Sequence, residues 1–363
     1  MAYNDRKNRE IICGAENEMK VIDMHCDTIY TLLEAEDRVK RQVDCAPASE
    51  GAEDLASGSR RNGGHLDLLR MRESNYLLQN FALFVNMGKD GDPWERVCRL
   101  YQVYRRELEK NSDIIAPVYS FGDIGKNEAA GKLSALLTVE EGGVCKGEPE
   151  KLRQLYGWGV RMVTLTWNYP NELGSPNIRA GHWAETYLTP NLREGLTERG
   201  KEFAVQMEEL GMIPDVSHLS DGGFYDVLAV TKKPFVASHS NAREICGCVR
   251  NLSDAMIRKL ADRGGCMGLN FCADFLETVP DGQKNPGTVE AVVRHAKHIA
   301  KVGGIEVLGL GSDFDGIDTN EGIPGAQSME HLWEALKQAD FTESQLDKIF
   351  WKNVLRVYED TLG

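Results

Sequence analysis

Several common features are missing from this chain, and each absence closes a class of function. None of its nine cysteines stands in a Cys-x-x-Cys pair, and the "CGC" at 246–248 is too tight for a zinc ribbon. No run of about twenty apolar residues could cross a bilayer. The first twenty residues lack the apolar core of a signal segment, and the end, "NVLRVYEDTLG", is not an anchor signal. No stripe of Lys and Arg offers a nucleic-acid surface, and the formal net charge is −14. No glycine loop has the Walker or Rossmann spacing, and no G-x-S-x-G elbow appears. These absences leave an acidic protein acting on small molecules. Its cysteines read as reduced thiols, so the expected location is the cytoplasm, with neither membrane nor nucleic acid as partner.

What is present is an alternation. Short apolar runs fall at 20–27, 77–85, 133–140, 160–167, 212–218, 234–239, 265–271 and 305–313. Such runs, rich in Val, Ile, Leu and Met, suit parallel strands covered on both faces. Helical stretches lie between them. "PWERVCRLYQVYRRELEKN" opens on Pro, "TERGKEFAVQMEELG" stops on Gly, and "SDAMIRKLADRGG" opens on a capping Ser. "TVEAVVRHAKHIAKVGG" repeats the pattern. Eight strand–helix units predict an α/β fold, a closed (β/α)8 TIM-like barrel in one domain spanning 1–363; an open eight-stranded sheet is the competing arrangement. The polar segment 37–64 breaks the rhythm and is expected to be a long loop inserted after the first strand.

Chemistry gathers where the strands end. The first run ends with His25 and Asp27, the third with Glu140 and Glu141, the fifth with His218, the sixth with His239, and the last with Asp313 in "GSDFDG". In a barrel these carboxyl ends surround one mouth. Positions 25 and 27 share a strand face, so both can reach one ion. Imidazole and carboxylate together suit zinc and similar divalent metals. A single histidine at a strand end is more often just a hydrogen-bonded polar residue; the argument for metal rests on all of them falling at the same end. His65, His182, His295, His298 and His331 stand outside the pattern, and His295 and His298 read as a solvated or packing helix face. The "DFDG" segment is not an EF-hand loop, because Asp318 stands where that loop needs glycine.

The ordered set "DMHCDT", "TVEEGG", "GVRMVTLTWN", "DVSHLS", "ASHSNAR", "VRNLSD" and "GLGSDFDG" resembles the membrane dipeptidase (renal dipeptidase) family, peptidase family M19. The likeness runs from about residue 20 to the closing "NVLRVYE". It implies a metallo-dependent hydrolase barrel and a metallo-dipeptidase with two Zn2+ ions per chain. It implies cleavage of small dipeptides, including those with a C-terminal D-residue, by a bridging hydroxide. It also implies a possible homodimer. By the same resemblance His25 and Asp27 match the ligands of one zinc and His218 and His239 those of the other. A glutamate bridges them, Glu140 by the spacing to the next motif, with Glu141 as the alternative. Asp313 matches the acid/base aspartate and Arg250 the arginine that holds the substrate carboxylate. Arg243 is a plausible second cation there. Trp167 departs from the pattern, since mammalian members carry a histidine that binds the substrate carbonyl. Indole can donate one N–H but cannot accept a proton or carry charge. Trp167 therefore shapes the pocket, changes substrate preference, or merely packs, or the zinc ions alone stabilise the oxyanion.

Two other readings remain at this stage. The same barrel and metals could hydrolyse a cyclic amide or deaminate a small substrate, although "TLTW" lacks the lysine that the commonest such site carbamylates. A degenerate barrel that only binds would have lost ligands, and none is missing.

Overall fold

The computed structural model describes residues 19–42, 58–280 and 282–362. Among the described residues nine parallel strands form one sheet: β1 (Val21–Asp23), β2 (Tyr76–Phe84), β3 (Ile115–Pro117), β4 (Leu133–Glu140), β5 (Val160–Thr164), β6 (Ile213–Asp215), β7 (Val236–Ala237), β8 (Cys266–Leu269) and β9 (Leu308–Leu310). β1 pairs with both β2 and β9, and β2 pairs with β4, so eight strands close on themselves. The barrel, not the open sheet, is the arrangement. Every residue of β2 and β4 is buried, as expected for strands with helices outside and side chains within.

The ninth strand is β3. β2 runs along one edge of β4 from Ser134 to Glu140. On the other edge β5 pairs only from Leu137 upward, and β3 fills the vacant start at Leu133–Ala135. β3 is not among the strands predicted from the sequence.

Helix bounds follow their caps. The helix Pro93–Lys110 has Pro in its first turn and an Asp92 cap, and Asp254–Asp262 is capped by Ser253. The helix Glu198–Leu210 ends on Gly211 at φ +78°. The expected loop 37–64 needs correction at its start. Residues 37–42 continue the helix Thr28–Gln42. Acidic residues near its middle meet the neighbouring helix, with Arg96 on Glu34 at 2.7 Å, Arg99 on Asp37 at 2.5 Å, and Arg106 on Glu36. Residues 43–57 of that segment lie outside the described residues.

Two seams of the barrel are thin. β1 and β9 share one ladder position, Asp23 with Leu310, and β6 and β7 share one, Asp215 with Val236. A buried aspartate reinforces each. Asp23 accepts from Ser312 N–H at 2.8 Å and Ser312 Oγ at 2.6 Å. Asp215 accepts from the N–H groups of Ser217 and Ser238 and from the hydroxyls of Ser238 and Thr164. Hydrogen bonds to a carboxylate are stronger than neutral ones, so these contacts lock strand ends where the ladder is short. The strand ends locked in this way carry the site.

Candidate metal centre

Beyond β1 the chain places His25 and Asp27 at the barrel mouth, where Cys26 bridges to Phe314. Glu140 is the last residue of β4. His218 follows β6, His239 follows β7 and Asp313 follows β9. The structure brings all six together. His25 Nε2 lies 3.3 Å from Glu140 Oε2 and 3.8 Å from both Asp27 Oδ1 and Asp313 Oδ1. Glu140 Oε1 lies 3.0 Å from His218 Nε2 and 3.6 Å from His239 Nε2. The two oxygens of Glu140 thus face two different groups of ligating atoms.

Two tautomers are fixed from behind. Ser238 gives its hydroxyl proton to Asp215, so its oxygen receives His239 Nδ1–H at 2.8 Å. His218 Nδ1 donates to Asn168 Oδ1 at 2.9 Å. Both Nε2 atoms therefore present lone pairs, and they stand 3.0 Å apart with a carboxylate oxygen beside them. Facing acceptors with nothing between them repel; a cation between them removes the conflict. His25 Nε2 and Asp27 Oδ1 are likewise buried without a hydrogen-bond partner. Groups of this chemistry, His25–Glu140–His239 and His25–Asp27–Asp313, have ligating atoms close enough to share an ion. The residues fit metal.

Burial pushes His218 and His239 well below the ordinary imidazole value, aided by the Arg250 and His25 charges, which favours the neutral ligating form. Burial also acts on His25, but Glu140 and Asp27 outweigh it and raise its pKa well above normal. Burial pushes Glu140 up to about 7 against the pull of His25, and it raises Asp313 as well.

Glu141 turns away. At φ +92° it accepts from Gly143 N–H (2.8 Å), Trp167 N–H (2.9 Å) and Asn171 Nδ2 (2.5 Å), knitting two loops together. Arg250 is buried, with long bonds of 3.4 Å to Ser240 Oγ and 3.3 Å to the His239 carbonyl, and its Nε has no partner. Arg243 is a correction. Its fork closes on both oxygens of Asp221 at 2.7 Å, and its remaining donors meet the carbonyls of Asn251 and Val249. It braces the loop that carries Arg250 and offers no free cation. Trp167 stands half-buried with its ring 6.2 Å from His218 and 4.9 Å from Phe84.

Sequence reasoning missed Asn168, Asn270 and the Asp315–His65 pair. Asn270 Nδ2 donates to Asp313 Oδ2 at 2.9 Å. Asp315 accepts from Thr28 Oγ1 and from His65 N–H, while its own N–H donates to His65 Nδ1. The "GSDFDG" motif exposed Asp315, but nothing in the sequence tied it to His65. His295 is a buried packing residue that accepts from Ala242 N–H and donates to the Leu276 carbonyl, and His298 pairs with Asp254.

A closed parallel barrel with such a cluster at its carboxyl end is the architecture of a metal-dependent hydrolase. Comparison with known proteins narrows the class. The membrane dipeptidase family (peptidase family M19) matches residues 12–362, and the chain belongs to that family. A protein of Schizosaccharomyces pombe described as an uncharacterised dipeptidase is 31% identical over 94% of this chain and 80% of its own length. A Klebsiella pneumoniae protein of undescribed function is 30% identical over 74% of this chain and 97% of its own. Among solved structures, an M19 metallopeptidase called dipeptidase AC superposes with TM-score 0.81 at 24% identity, covering 96% of this chain and 100% of its own. A Rhodobacter sphaeroides metallopeptidase bound to a phosphinate mimic of L-Ala-D-Ala gives TM-score 0.79 at 23% identity, over 95% and 100%. The protein is a metal-dependent dipeptidase. No helix among the described residues is long and apolar enough to cross a membrane.

Proposed function

We propose that the protein hydrolyses the single peptide bond of free dipeptides, including those ending in a D-residue, with two zinc ions at this centre. The observation that carries the reading is the divided carboxylate of Glu140, one oxygen toward His25 and the other toward His218 and His239. His25 and Asp27 would hold one ion, His218 and His239 the other, and Glu140 both. Such a pair of ions supplies a polarised carbonyl and a water ionised near neutral pH.

The chain's own residues do the rest. Arg250 is buried, charged and left with an unpartnered donor. A planar guanidinium in that state fits the free carboxylate of a substrate. A clamp on that carboxylate one residue from the reacting bond allows a single residue on the carboxyl side of that bond. Asp313 is positioned by Asn270 and faces His25 and the mouth. Its carboxylate takes the proton released by the attacking water and gives it to the departing amine. The phosphinate mimic on the Rhodobacter relative supports acceptance of a C-terminal D-residue. The reduced thiols support a cytoplasmic setting; all seven cysteines among the described residues are free.

The test is amine release from L–L, L–D and D–L dipeptides and from matched tripeptides, with chelated and zinc-restored protein. Zinc-dependent cleavage restricted to dipeptides is expected. Asp313→Asn should lower kcat by roughly 10²–10⁴-fold with zinc still bound. Near-normal turnover in that variant would remove Asp313 from the proton transfer. Cleavage of a cyclic amide but of no dipeptide would replace the reading.

A further inference from the structure

Four aromatic rings touch in a chain that starts beside the centre at Trp167 and runs outward to Tyr30, whose ring meets Lys89 and Arg96. Trp167 packs edge-on against Phe84 at 4.9 Å, Phe84 against Tyr30 at 5.0 Å, and Trp167 against Tyr169 at 5.9 Å. Phe84 ends β2, and Trp167 lies three residues past β5. Trp167, Tyr169 and Tyr30 are only half-buried, so the cluster is a rim and not core. It begins beside the metal centre, where Trp167 meets His218 at 6.2 Å.

The strand order sets Phe84 across the mouth from Arg250, while Trp167 and Tyr169 follow β5 and Tyr30 follows β1. In the closed ring β1-β2-β4-β5-β6-β7-β8-β9, the strands opposite β7 and β8 are β2 and β4. Arg250 lies on the segment after β7 and stacks over Phe275, which follows β8. A dipeptide whose carboxylate sits on Arg250 and whose scissile carbonyl lies at the centre extends its amino-terminal residue toward Phe84, which Trp167 contacts at 4.9 Å. This step rests on the dipeptidase reading above.

The charges near the rim are already engaged. Lys89 donates to Glu34 and to Tyr30 Oη, Arg96 pairs with Glu34, and Glu141 accepts three hydrogen bonds. A charged substrate side chain there would lose water and meet rings. An apolar one would gain contact area, and aromatic pairs gain further from edge-on geometry.

We propose that the Tyr30–Phe84–Trp167–Tyr169 rim seats the amino-terminal side chain of the dipeptide and selects large apolar and aromatic residues in that position. Trp167 is the specificity-determining residue, and its role is contact.

The test compares kcat/KM of the zinc-loaded enzyme for L-Phe-Gly, L-Leu-Gly, Gly-Gly and L-Asp-Gly. The Phe and Leu substrates should exceed the other two by roughly 10–100-fold, the range one hydrophobic pocket provides. Trp167→His and Phe84→Leu should each cut the Phe-Gly to Gly-Gly ratio at least fivefold. Far-ultraviolet circular dichroism confirms folding, and two variants guard against one that fails to fold. Equal kcat/KM across the four substrates, or an unchanged ratio in both variants, overturns the inference and leaves the dipeptidase reading standing. Cleavage of no dipeptide at all overturns both.

Discussion

One peptide bond separates Glu140 from Glu141, yet their side chains serve different purposes. β4 sends Glu140 into the barrel mouth. The chain then turns through φ +92°, and Glu141 accepts three N–H donors from the neighbouring loops. The motif alone left both glutamates open, and loop spacing favoured Glu140. What sequence could not show is that Glu141 has a full set of partners elsewhere. The two variants should therefore separate. Glu140→Gln should lose bound metal and activity together, because an amide nitrogen cannot ligate. Glu141→Gln should keep its metal and lose stability by roughly 1–3 kcal/mol, since the new NH2 confronts donors that the carboxylate had satisfied. Metal analysis after dialysis and urea unfolding measure these effects. Metal loss in Glu141→Gln with retention in Glu140→Gln would reverse the assignment.

At the scale of elements, legibility followed the density of apolar residues. β2 and β4 are continuous buried runs and stood out at once. β7 has only two residues, and it was found because "PFVASH" is apolar around them. The helical tail 37–42 was missed because its sequence, "DRVKRQ", is mostly charged. Its Asp37 pairs with Arg96 and Arg99, some sixty positions away, a pairing no local pattern encodes. Backbone strain was equally hidden. Glu141, His218, Asp313 and Asp315 all adopt positive φ in the loops that build the centre. Strain at such residues is held by the surrounding contacts, as functional loops often require. Asp340 has the same feature without that reason. It follows the helix Met329–Gln338 at φ +72°, where its N–H donates to Lys337 O and the next N–H, of Phe341, donates to Leu336 O. This is a Schellman cap with aspartate where glycine is usual. Asp340 is exposed and lies far along the chain from the site residues. Asp340→Gly should stabilise the protein by about 0.5–1 kcal/mol with kcat/KM unchanged. A fall in urea midpoint would show that the aspartate makes a compensating contact.

At the scale of the whole molecule, the centre is also a fastener. Its six side chains come from the ends of β1, β4, β6, β7 and β9, and two seams between those strands have a single ladder position each. Without a cation the lone pairs of His218 and His239 oppose one another at 3.0 Å, and His25 Nε2 and Asp27 Oδ1 lack partners. An ion that binds only the folded chain stabilises it by about 4 kcal/mol when free metal exceeds its Kd a thousandfold. In a chain of this size that corresponds to a Tm rise of roughly 5 °C. Chelation should therefore lower Tm by several degrees, and zinc should restore it, with activity returning over the same range of added metal. The change should be uneven across the fold. Amide exchange should quicken most at the strand ends that the ligands join, such as Asp313 N–H, which donates to the His25 carbonyl, and Ser238 N–H, which donates to Asp215. The outer helices should change less, because their apolar faces pack on the barrel independently of the mouth. A Tm that stays constant while metal analysis shows an empty protein would mean that Asp23 and Asp215 alone hold the seams, and that the metals serve chemistry without supporting the fold.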